Sequence, residues 1–451
     1  MGYQGSLGSP NVQEQSVIPK KYLLVPSSRG EGTFDLNGIR NMRGKRIAII
    51  GTYDTKALEM EYVAERIASY GHEGILIDAG PLTEEGAKVQ YSNREVARRA
   101  GWELERLVKE GNRETIMAAM ADGVGAILLE LFGSGSLEGA IGMGGNQGSS
   151  IAAMAMRKLP IGFPKVLVST VASGNIRPYV GETDLMVMFS VSDLVGGPNP
   201  VSRSILGNAT AAIVGMVERG EPIRITERSR TVALTALGNT EAAASRISKI
   251  LKEKGYEVIT FHASGAGGSA LEDLIEQGVF GGVIDLTTHE LVEEVVGAGA
   301  YVPVKPGRLT KAAAKGIPLV VSLGGLEYLC FGPKETIPPR LRKRKIYMHN
   351  PLNANVKASS TEMKKAAYEL AKRLNRGRGP VEVLIPLRGW SIYGAPGGPL
   401  YEPEGNAVLL RTLKKKLKPS IPIRELDTHI NDPAFADACV DALLRMMEKR
   451  G

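Results

Sequence analysis

The chain has few cysteines, few aromatic residues and no long apolar run, and each shortage excludes a class of protein. Cys330 and Cys439 are the 2 cysteines among 451 residues, and both lie in apolar surroundings. Their number and spacing exclude a disulfide framework and a cysteine-based metal motif, so we expect a reducing compartment, the cytoplasm. No run reaches the roughly 18 apolar residues of a membrane span, and no signal-peptide pattern opens the chain, so no membrane association is expected.

The sequence also lacks a strong excess of one charge. The formal net charge is +8, and much of the excess lies in the basic runs 339–345 and 411–418. Neither run is interleaved with aromatic residues, so we interpret both as solvated faces, with an anion or nucleic-acid patch as the weaker alternative. Glycine, by contrast, is abundant at 54 residues and follows apolar runs, as in folds with many tight strand-to-helix turns.

Short apolar runs alternate with helical patterns, which predicts parallel sheets joined by crossover helices. The predicted strands are 46–50, 74–77, 140–143, 165–169 and 185–189 in the first half, and 283–286, 319–322, 382–385 and 423–426 in the second. The order of strand, turn, helix and strand recurs after the first half, although any two βαβ units share such a pattern. The predicted fold class is α/β, with two Rossmann-like three-layer domains and mostly parallel sheets.

A polar segment with glycine and proline, 219–230, divides the two halves. We therefore predict an N-terminal extension at 1–44, an N-terminal domain at 45–222 and a C-terminal domain at 223–451.

The turn after the first predicted strand concentrates groups that bind phosphate. Gly51 permits a tight turn, Thr52 and Thr55 carry hydroxyls, and Lys56 carries an amine. Asp54 is a candidate metal ligand for Mg²⁺ or a partner for a ribose hydroxyl. The helix that follows would offer free backbone N–H groups to an anion. The alternative is that Asp54 or Thr55 only caps that helix.

A glycine-rich turn follows the strand at 140–143 and opens a helix, as a phosphate cradle does. Its candidate contacts are Gly144, Gly145, Asn146, Gly148 and Ser149. The turn is neither a P-loop nor a G-x-G-x-x-G motif, and a crowded turn without a ligand is the alternative. A third polar turn holds Ser173, Gly174 and Asn175, which are candidates for contact with a base or sugar.

Four of the 5 histidines lie in polar segments at strand ends: His262, His289, His349 and His429. Histidine titrates near neutral pH, which suits acid–base catalysis. Arg388 is a candidate clamp for a carboxylate or phosphate. We therefore predict catalytic roles for His262, Arg388, His349 and His429 around an anionic small molecule. We expect no metal among them, because no pair shows helical or ribbon ligand spacing, and no motif supports nucleophilic hydrolysis.

Motifs spread over about residues 45–450 resemble one known family. They are GTYDTK, STVASGNIRPYVG, HASGAGGSALEDLIEQG, DLTTHEL, HNP, PLRGWS with APGGP, and ELDTHINDPAFA. Together they are similar to the uncharacterised ATP-binding family that includes the N-terminal region of the plant tobamovirus-resistance protein. The family turn GGSGGT reads GGNQGSS here, so Asn146 and Gln147 replace small residues and Ser149 replaces the threonine.

The resemblance implies two Rossmann-like subdomains, ATP with Mg²⁺ at the N-terminal one, and a homo-oligomer such as a dimer. Microbial relatives often accompany a TIM-barrel protein, so a separate barrel protein is an expected partner.

Two functions of different classes follow. The first is an ATP-dependent enzyme that acts on a small carboxylate or phosphorylated metabolite in the cleft between the domains. The second is a non-catalytic, ATP-regulated protein-interaction module that binds a TIM-barrel protein. A weaker third reading, an NAD(P)-dependent oxidoreductase, lacks the dinucleotide fingerprint, although Asp78 ends the second predicted strand, where a ribose-binding acid would lie.

Overall fold

A computed structural model describes residues 44–225 and 227–449. Apart from residue 44, the predicted extension lies outside these residues. The strands are β1 (Arg46–Gly51), β2 (Glu73–Asp78), β3 (Gly139–Gly144), β4 (Lys165–Ser169), β5 (Met186–Phe189), β6 (Thr231–Ala236), β7 (Glu257–His262), β8 (Gly282–Asp285), β9 (Leu319–Val321), β10 (Tyr328–Phe331), β11 (Ile346–Asn350), β12 (Asn353–Lys357), β13 (Val381–Pro386) and β14 (Ile423–Leu426).

The α-helices alternate with these strands over most of the chain. They are α1 (Tyr53–Ser69), α2 (Asn93–Arg99), α3 (Leu104–Glu110), α4 (Arg113–Gly133), α5 (Asn146–Met156), α6 (Arg177–Val180), α7 (Pro200–Arg219), α8 (Glu241–Glu253), α9 (Ala266–Glu276), α10 (Glu290–Val296), α11 (Lys311–Ala314), α12 (Ser360–Leu374), α13 (Pro403–Lys416) and α14 (Pro433–Glu448).

The first sheet has five parallel strands in the order β2-β1-β3-β4-β5. Its central strands, β1, β3 and β4, are mostly apolar and are buried except at Arg46, as expected for strands covered by helices on both faces. Side chains of α2, α4 and α5 form the core on one face, and those of α1 and α7 form it on the other. The first half is therefore a three-layer α/β unit.

The second sheet has six parallel strands in the order β14-β13-β9-β8-β6-β7. Helices α8 and α14 cover one face, while α9, α11 and α12 contribute to the core on the other. The predicted fold class, two Rossmann-like three-layer units with mostly parallel sheets, is confirmed. A small antiparallel sheet, β10-β12-β11, was not predicted and lies within the second half.

The two large sheets share one strand arrangement. In each, the second strand in sequence lies on one side of the first, and the third strand lies on the other side. The chain thus reverses its winding direction between β1 and β3, and again between β6 and β8. Open α/β sheets bind ligands outside the carboxyl ends of the strands at such switch points.

Among the described residues, α4 is long and apolar enough to cross a membrane by length and composition. However, 56% of its apolar window is buried inside the protein, and the helix contacts α2 and α5. The core helix of a soluble protein passes the same test, so α4 is weak evidence for a membrane span.

Candidate functional site

The fold brings the three polar turns of the first half together at the carboxyl edge of β1, β3 and β4. A methyl group built on Gly148 would lie 3.7 Å from Thr52 Oγ1, so the glycine-rich turn contacts the first turn. A methyl group on Gly145 would lie 3.6 Å from Thr170 Oγ1, at the end of β4. This edge includes the switch point between β1 and β3. Three of the predicted nucleotide contacts, Thr52, Gly145 and Gly148, therefore lie at an edge where such folds bind ligands.

In the part of the chain that the structure describes, the backbone N–H groups at the start of α5 have no hydrogen-bond acceptor. Its N-cap is Gly145, which has no side chain to cap the helix. Within the described residues, no side chain accepts a hydrogen bond from the N–H groups of Asn146, Gln147 or Gly148. Such N–H groups and the helix dipole favour a bound anion.

Ser149 holds the glycine-rich turn from beneath. Its hydroxyl is fully buried and lies 2.9 Å from the Gly144 carbonyl oxygen and 2.7 Å from Ser169 Oγ. Gly144 has no room for a side chain, because an added methyl would lie 2.8 Å from Gly148 Cα. Ser149 and Gly144 thus shape the turn, while Gly145 and Asn146 face its open side.

The first turn offers hydroxyls, while its helix is capped from elsewhere. Thr52 Oγ1 and Thr55 Oγ1 lie 2.8 Å apart, and the Asp54 side chain is exposed. The backbone N–H of Tyr53 donates to Asp78 Oδ1 at 2.9 Å, so Asp78 satisfies the start of α1. The cap that the sequence assigned to Asp54 or Thr55 as an alternative is therefore supplied by Asp78.

Asp78 is not placed to bind a ribose. It is fully buried, and its Oδ1 also accepts a hydrogen bond from Gly80 N at 2.7 Å. Burial raises the pKa of this carboxyl, although the two backbone hydrogen bonds act to lower it.

Lys56 is 9% exposed, and its Nζ donates to the Thr55 carbonyl oxygen at 3.2 Å, so its charge lies beneath the turn.

The third turn links the first half to the second. Ser173, Gly174 and Asn175 are exposed, and Asn175 Oδ1 accepts a hydrogen bond from Arg177 N at 3.1 Å. The Arg177 guanidinium donates to two carbonyl oxygens of the second half, Ala300 O at 2.7 Å and Val302 O at 3.2 Å. These two carbonyls flank Tyr301, so Arg177 holds the backbone on both sides of that tyrosine.

In the glycine-rich turn of the second half, residues 264–268, a side-chain carboxylate of the protein binds the backbone N–H groups. Glu290 Oε1 accepts hydrogen bonds from Gly265 N at 2.5 Å and from Gly268 N at 3.1 Å, at the start of α9. Arg308 Nε donates to the other oxygen, Glu290 Oε2, at 2.5 Å. This turn resembles an anion loop in sequence, but a buried carboxylate occupies the position of the anion.

A cavity of about 370 Å³ lies beside the switch point of the second sheet. Its lining comes from the second half alone: Leu237, Gly238, Asn239, His262, Tyr301, Tyr328, Cys330, Phe331, His349, Asn350, Asn353, Asn355, Ile392 and Tyr393. Two of the predicted catalytic residues, His262 and His349, therefore share one cavity. That cavity is within the second half, whereas the sequence analysis expected a site in the cleft between the halves.

The other two predicted catalytic residues lie outside this lining. Arg388 forms an exposed ion pair with Asp427, with Nη2 2.7 Å from Oδ2. His429 Nε2 lies 3.2 Å from the Ser391 carbonyl oxygen, and its Nδ1 accepts a hydrogen bond from Asn431 N at 3.1 Å. The structure thus separates the four predicted residues into a pair at the cavity and two residues with local partners.

A buried group at the cavity wall was missed by the sequence analysis. His289, Glu293 and Cys330 each offer one ligand atom, and these atoms all lie within 4.8 Å of one another. His289 and Glu293 have i, i+4 spacing at α10, a pair that the sequence analysis did not consider because it weighed ligand spacing only among the histidines. Cys330 comes from β10 and lines the cavity, so its surroundings are not merely apolar.

The ionisation of this group reflects burial and mutual contact. Burial disfavours a charged His289, but the neighbouring Cys330 and Glu293 raise its pKa well above the ordinary histidine value. Burial raises the pKa of the Cys330 thiol, and His289 acts in the opposite direction. The signal that could have found the group is the spacing of His289 and Glu293, followed by a cysteine in a buried strand.

Comparison with family models and known proteins covers nearly the whole described chain. Residues 45–222 match the N-terminal domain, and residues 229–447 the C-terminal domain, of "Uncharacterised protein family (UPF0261)". A UPF0261 protein of Clostridium tetani is 39% identical over 406 residues, covering 90% of this chain and 100% of that protein. A UPF0261 protein of Rhizobium meliloti is 36% identical over 400 residues, covering 88% of this chain and 98% of that protein.

A plant relative is similar over a shorter stretch. The ToMV resistance protein Tm-1(GCR237) of Solanum lycopersicum is 41% identical over 320 residues, covering 70% of this chain and 42% of that protein. This chain therefore matches less than half of the tomato protein. The match to one solved structure, the UDP-GlcNAc 2-epimerase of Methanocaldococcus jannaschii, covers 89% of this chain and 92% of the epimerase chain. The TM-score of 0.20 and the sequence identity of 8% are too low to indicate a shared fold or function.

Proposed function

Since this chain belongs to the uncharacterised protein family UPF0261 in both its N-terminal and its C-terminal domain, we propose a function from its geometry: binding of ATP with Mg²⁺ at the switch point of the first sheet. The observation that carries the proposal is the start of α5, where N–H groups without an internal acceptor lie beside the hydroxyls of the β1 turn. The resemblance to the family of the tobamovirus-resistance protein is confirmed by the tomato relatives, and its ATP site is the part proposed here.

The residues present suit a polyphosphate. The N–H groups of Asn146 to Gly148 would donate to phosphate oxygens, as at other helix starts that follow glycine-rich turns. Thr52 and Thr55 would add hydroxyl donors, and Lys56 would add positive charge from below. Mg²⁺ prefers one or two carboxylates together with phosphate oxygens and water, so Asp54 at the exposed edge would be its protein ligand.

The base and ribose would lie toward the third turn. Ser173 and Asn175 are exposed there and carry hydrogen-bonding groups, and an added methyl on Gly174 would meet no atom of residues 44–225 and 227–449 within 4 Å. This leaves room for a planar ring above the turn.

The test is calorimetric titration of ATP–Mg²⁺ into the wild-type protein and four variants. Lys56→Ala and Asp54→Ala remove the proposed charge partners of phosphate and Mg²⁺. Gly145→Ala places a methyl group at the open side of the cradle, 3.6 Å from the nearest protein atom, so the fold should tolerate it. Gly215→Ala is the matched control, since a methyl there meets no atom within 4 Å and lies in α7.

We expect binding in the wild type and in Gly215→Ala, with loss or strong weakening in the other three variants. Circular dichroism should show that all five proteins are folded. ATP affinity that stays unchanged in both Lys56→Ala and Gly145→Ala would refute the assignment of the site. No binding to the wild-type protein would refute the nucleotide proposal itself.

We propose further that the cavity of the second half receives the small molecule on which ATP acts, making the protein an ATP-dependent enzyme. Support comes from its place at a switch point and from His262 and His349 in its wall, which suit proton transfer. A panel of carboxylates and phosphorylated metabolites should reveal ATP turnover that falls in His262→Ala, an exposed position. Arg411→Ala, on the exposed face of α13, is the control, and Arg388→Ala decides whether that arginine contributes.

The length of the tomato relatives favours a second candidate function. This chain matches 42% of the resistance protein, so more than half of that protein lies outside the matched stretch. A cytoplasmic, dimeric, ATP-regulated module that binds a separate TIM-barrel protein is consistent with such an arrangement. It predicts nucleotide binding without turnover across the same metabolite panel, together with capture of a purified barrel protein from the same organism. Turnover by the isolated chain would exclude it.

A further inference from the structure

We propose that His289, Glu293 and Cys330 bind one divalent metal ion of the zinc class at the wall of the second-half cavity. Their candidate ligand atoms, an imidazole nitrogen, a carboxylate oxygen and a thiol sulfur, lie within 4.8 Å of one another. His289 and Glu293 are fully buried, and Cys330 is 9% exposed. Zinc sites in proteins use this combination of nitrogen, sulfur and oxygen donors.

The histidine is oriented as a metal ligand. His289 Nδ1 lies 2.7 Å from the Gly325 carbonyl oxygen, which fixes a proton on Nδ1 because a carbonyl only accepts. Nε2 lies 2.9 Å from Glu293 Oε1, a carboxylate oxygen that only accepts, so Nε2 carries a proton here as well, and the metal ion would replace that proton between the two atoms. A tetrahedral ion with bonds of about 2.0 Å would separate these atoms by roughly 3.3 Å, so a small side-chain shift suffices.

Backbone donors fix the carboxylate. Glu293 Oε1 accepts from Cys330 N at 2.5 Å, and Oε2 accepts from Tyr301 N at 2.5 Å. Outer contacts of this kind orient the ligands of natural metal sites. The Cys330 sulfur lies 3.3 Å from Asn355 Oδ1, which a thiol proton can bridge. Metal binding would replace the thiol proton and release it to solvent.

The cavity supplies the remaining coordination position. Three protein ligands and one open position are the arrangement of catalytic zinc sites, in which water or substrate takes the fourth place. Cys330 is the ligand that lines the cavity, and the lining residues named above include no lysine, arginine, aspartate or glutamate. An anionic or carbonyl ligand would therefore find its cationic partner in the ion. The expected class is a small molecule with a carboxylate or carbonyl oxygen.

The test is titration of the chelator-treated full chain with Co²⁺ as a spectroscopic substitute for Zn²⁺. We expect saturation at one equivalent, an absorption band from thiolate-to-Co²⁺ charge transfer, and visible bands of a tetrahedral ion. Cys330→Ser should abolish the charge-transfer band and weaken binding by at least about 100-fold, the upper end of what loss of an outer-shell partner costs. Cys439→Ser is the matched control, because Cys439 is fully buried in the α14 core.

The wild-type spectrum decides the question even if Cys330→Ser fails to fold. The chain has only 2 cysteines, so a thiolate band that persists in Cys439→Ser assigns the ligand to Cys330. The proposal is overturned by a wild-type protein that shows no charge-transfer band at saturating Co²⁺. It is equally overturned by a band that disappears in Cys439→Ser while the protein stays folded. Omission of ATP throughout separates this result from that of the nucleotide proposal.

Discussion

Replacement of Arg308 by methionine should strongly destabilise the second half. The Arg308 side chain is 1% exposed and lies among three carboxylates. Its Nε contacts Glu290 Oε2 at 2.5 Å, its Nη1 contacts Glu272 Oε1 at 3.2 Å, and its Nη2 lies 3.0 Å from both oxygens of Asp285. Methionine keeps the aliphatic volume but removes all of these charged contacts.

The expected magnitude follows from the number of charges left uncompensated. Loss of one partner from a buried ion pair costs about 3–5 kcal/mol. Here one cation serves three buried carboxylates, so we expect the upper part of this range, or about 5 kcal/mol of unfolding free energy. The loss should also loosen the start of α9, because Arg308 balances the Glu290 carboxylate that caps it.

Urea unfolding followed by tryptophan fluorescence measures the effect. The chain has 2 tryptophans, and Trp390 is buried in the second half, so a Trp102→Phe background reports the second half alone. Arg246→Met is the matched control. Arg246→Met also breaks a bidentate arginine–carboxylate pair, with Asp437. Because that pair is exposed, the midpoint of urea unfolding should hardly change.

The pH dependence provides a second check. Burial raises the pKa values of Asp285 and Glu272 even though Arg308 opposes it. Without the arginine these carboxyls should take up protons at higher pH. The loss of unfolding free energy in Arg308→Met relative to the wild type should therefore shrink as pH falls from about 7 to about 5. A change in unfolding free energy below about 1 kcal/mol, or a deficit independent of pH, would refute the view that uncompensated carboxylates are the cause.

Three further outcomes are expected. Ser359→Ala should cost about 1 kcal/mol in urea unfolding, because it removes the capping box of α12, while an unchanged midpoint would argue against that cap. Burial would raise the pKa of Glu362, but hydrogen bonds from Arg344 and Ser359 lower it. The stabilisation by ionised Glu362 should therefore be complete above the ordinary glutamate pKa and lost as pH falls through the lowered value. In Glu362→Gln, the unfolding free energy should fall less steeply over this acidic range. Burial raises the pKa of both thiols, so native protein should react slowly with a thiol reagent, and Cys330 at the cavity wall should react before Cys439.

The central strands were predictable because parallel strands buried on both faces appear as continuous apolar runs. The structure places β4 at Lys165–Ser169 and β14 at Ile423–Leu426, with the predicted bounds. In the antiparallel sheet β10-β12-β11, strand β10 is a short buried apolar run that was not assigned, whereas β11 and β12 were missed because they mix polar and apolar residues. In β12 the buried positions include Asn355 and Lys357, polar residues that the sequence alone places at a surface.

The candidate site was predictable only where it is local in sequence. The turns after β1 and β3 each show their own glycines and hydroxyls, and the strand order brings them together. The group of His289, Glu293 and Cys330 depends on contact between α10 and β10, which are separated in sequence and meet only through the unpredicted sheet. No local pattern around Cys330 distinguishes it from an ordinary core cysteine.

The Glu290 carboxylate at the start of α9 has a consequence for ligand stoichiometry. The two large sheets repeat one strand order, and a twofold repeat invites the expectation of two equivalent nucleotides per chain. Glu290 is covalently part of the chain, so it competes at very high effective concentration with any external phosphate for the N–H groups of Gly265 and Gly268. Nucleotide titrations should therefore saturate at one equivalent per chain, with the second copy of the fold acting as its own ligand.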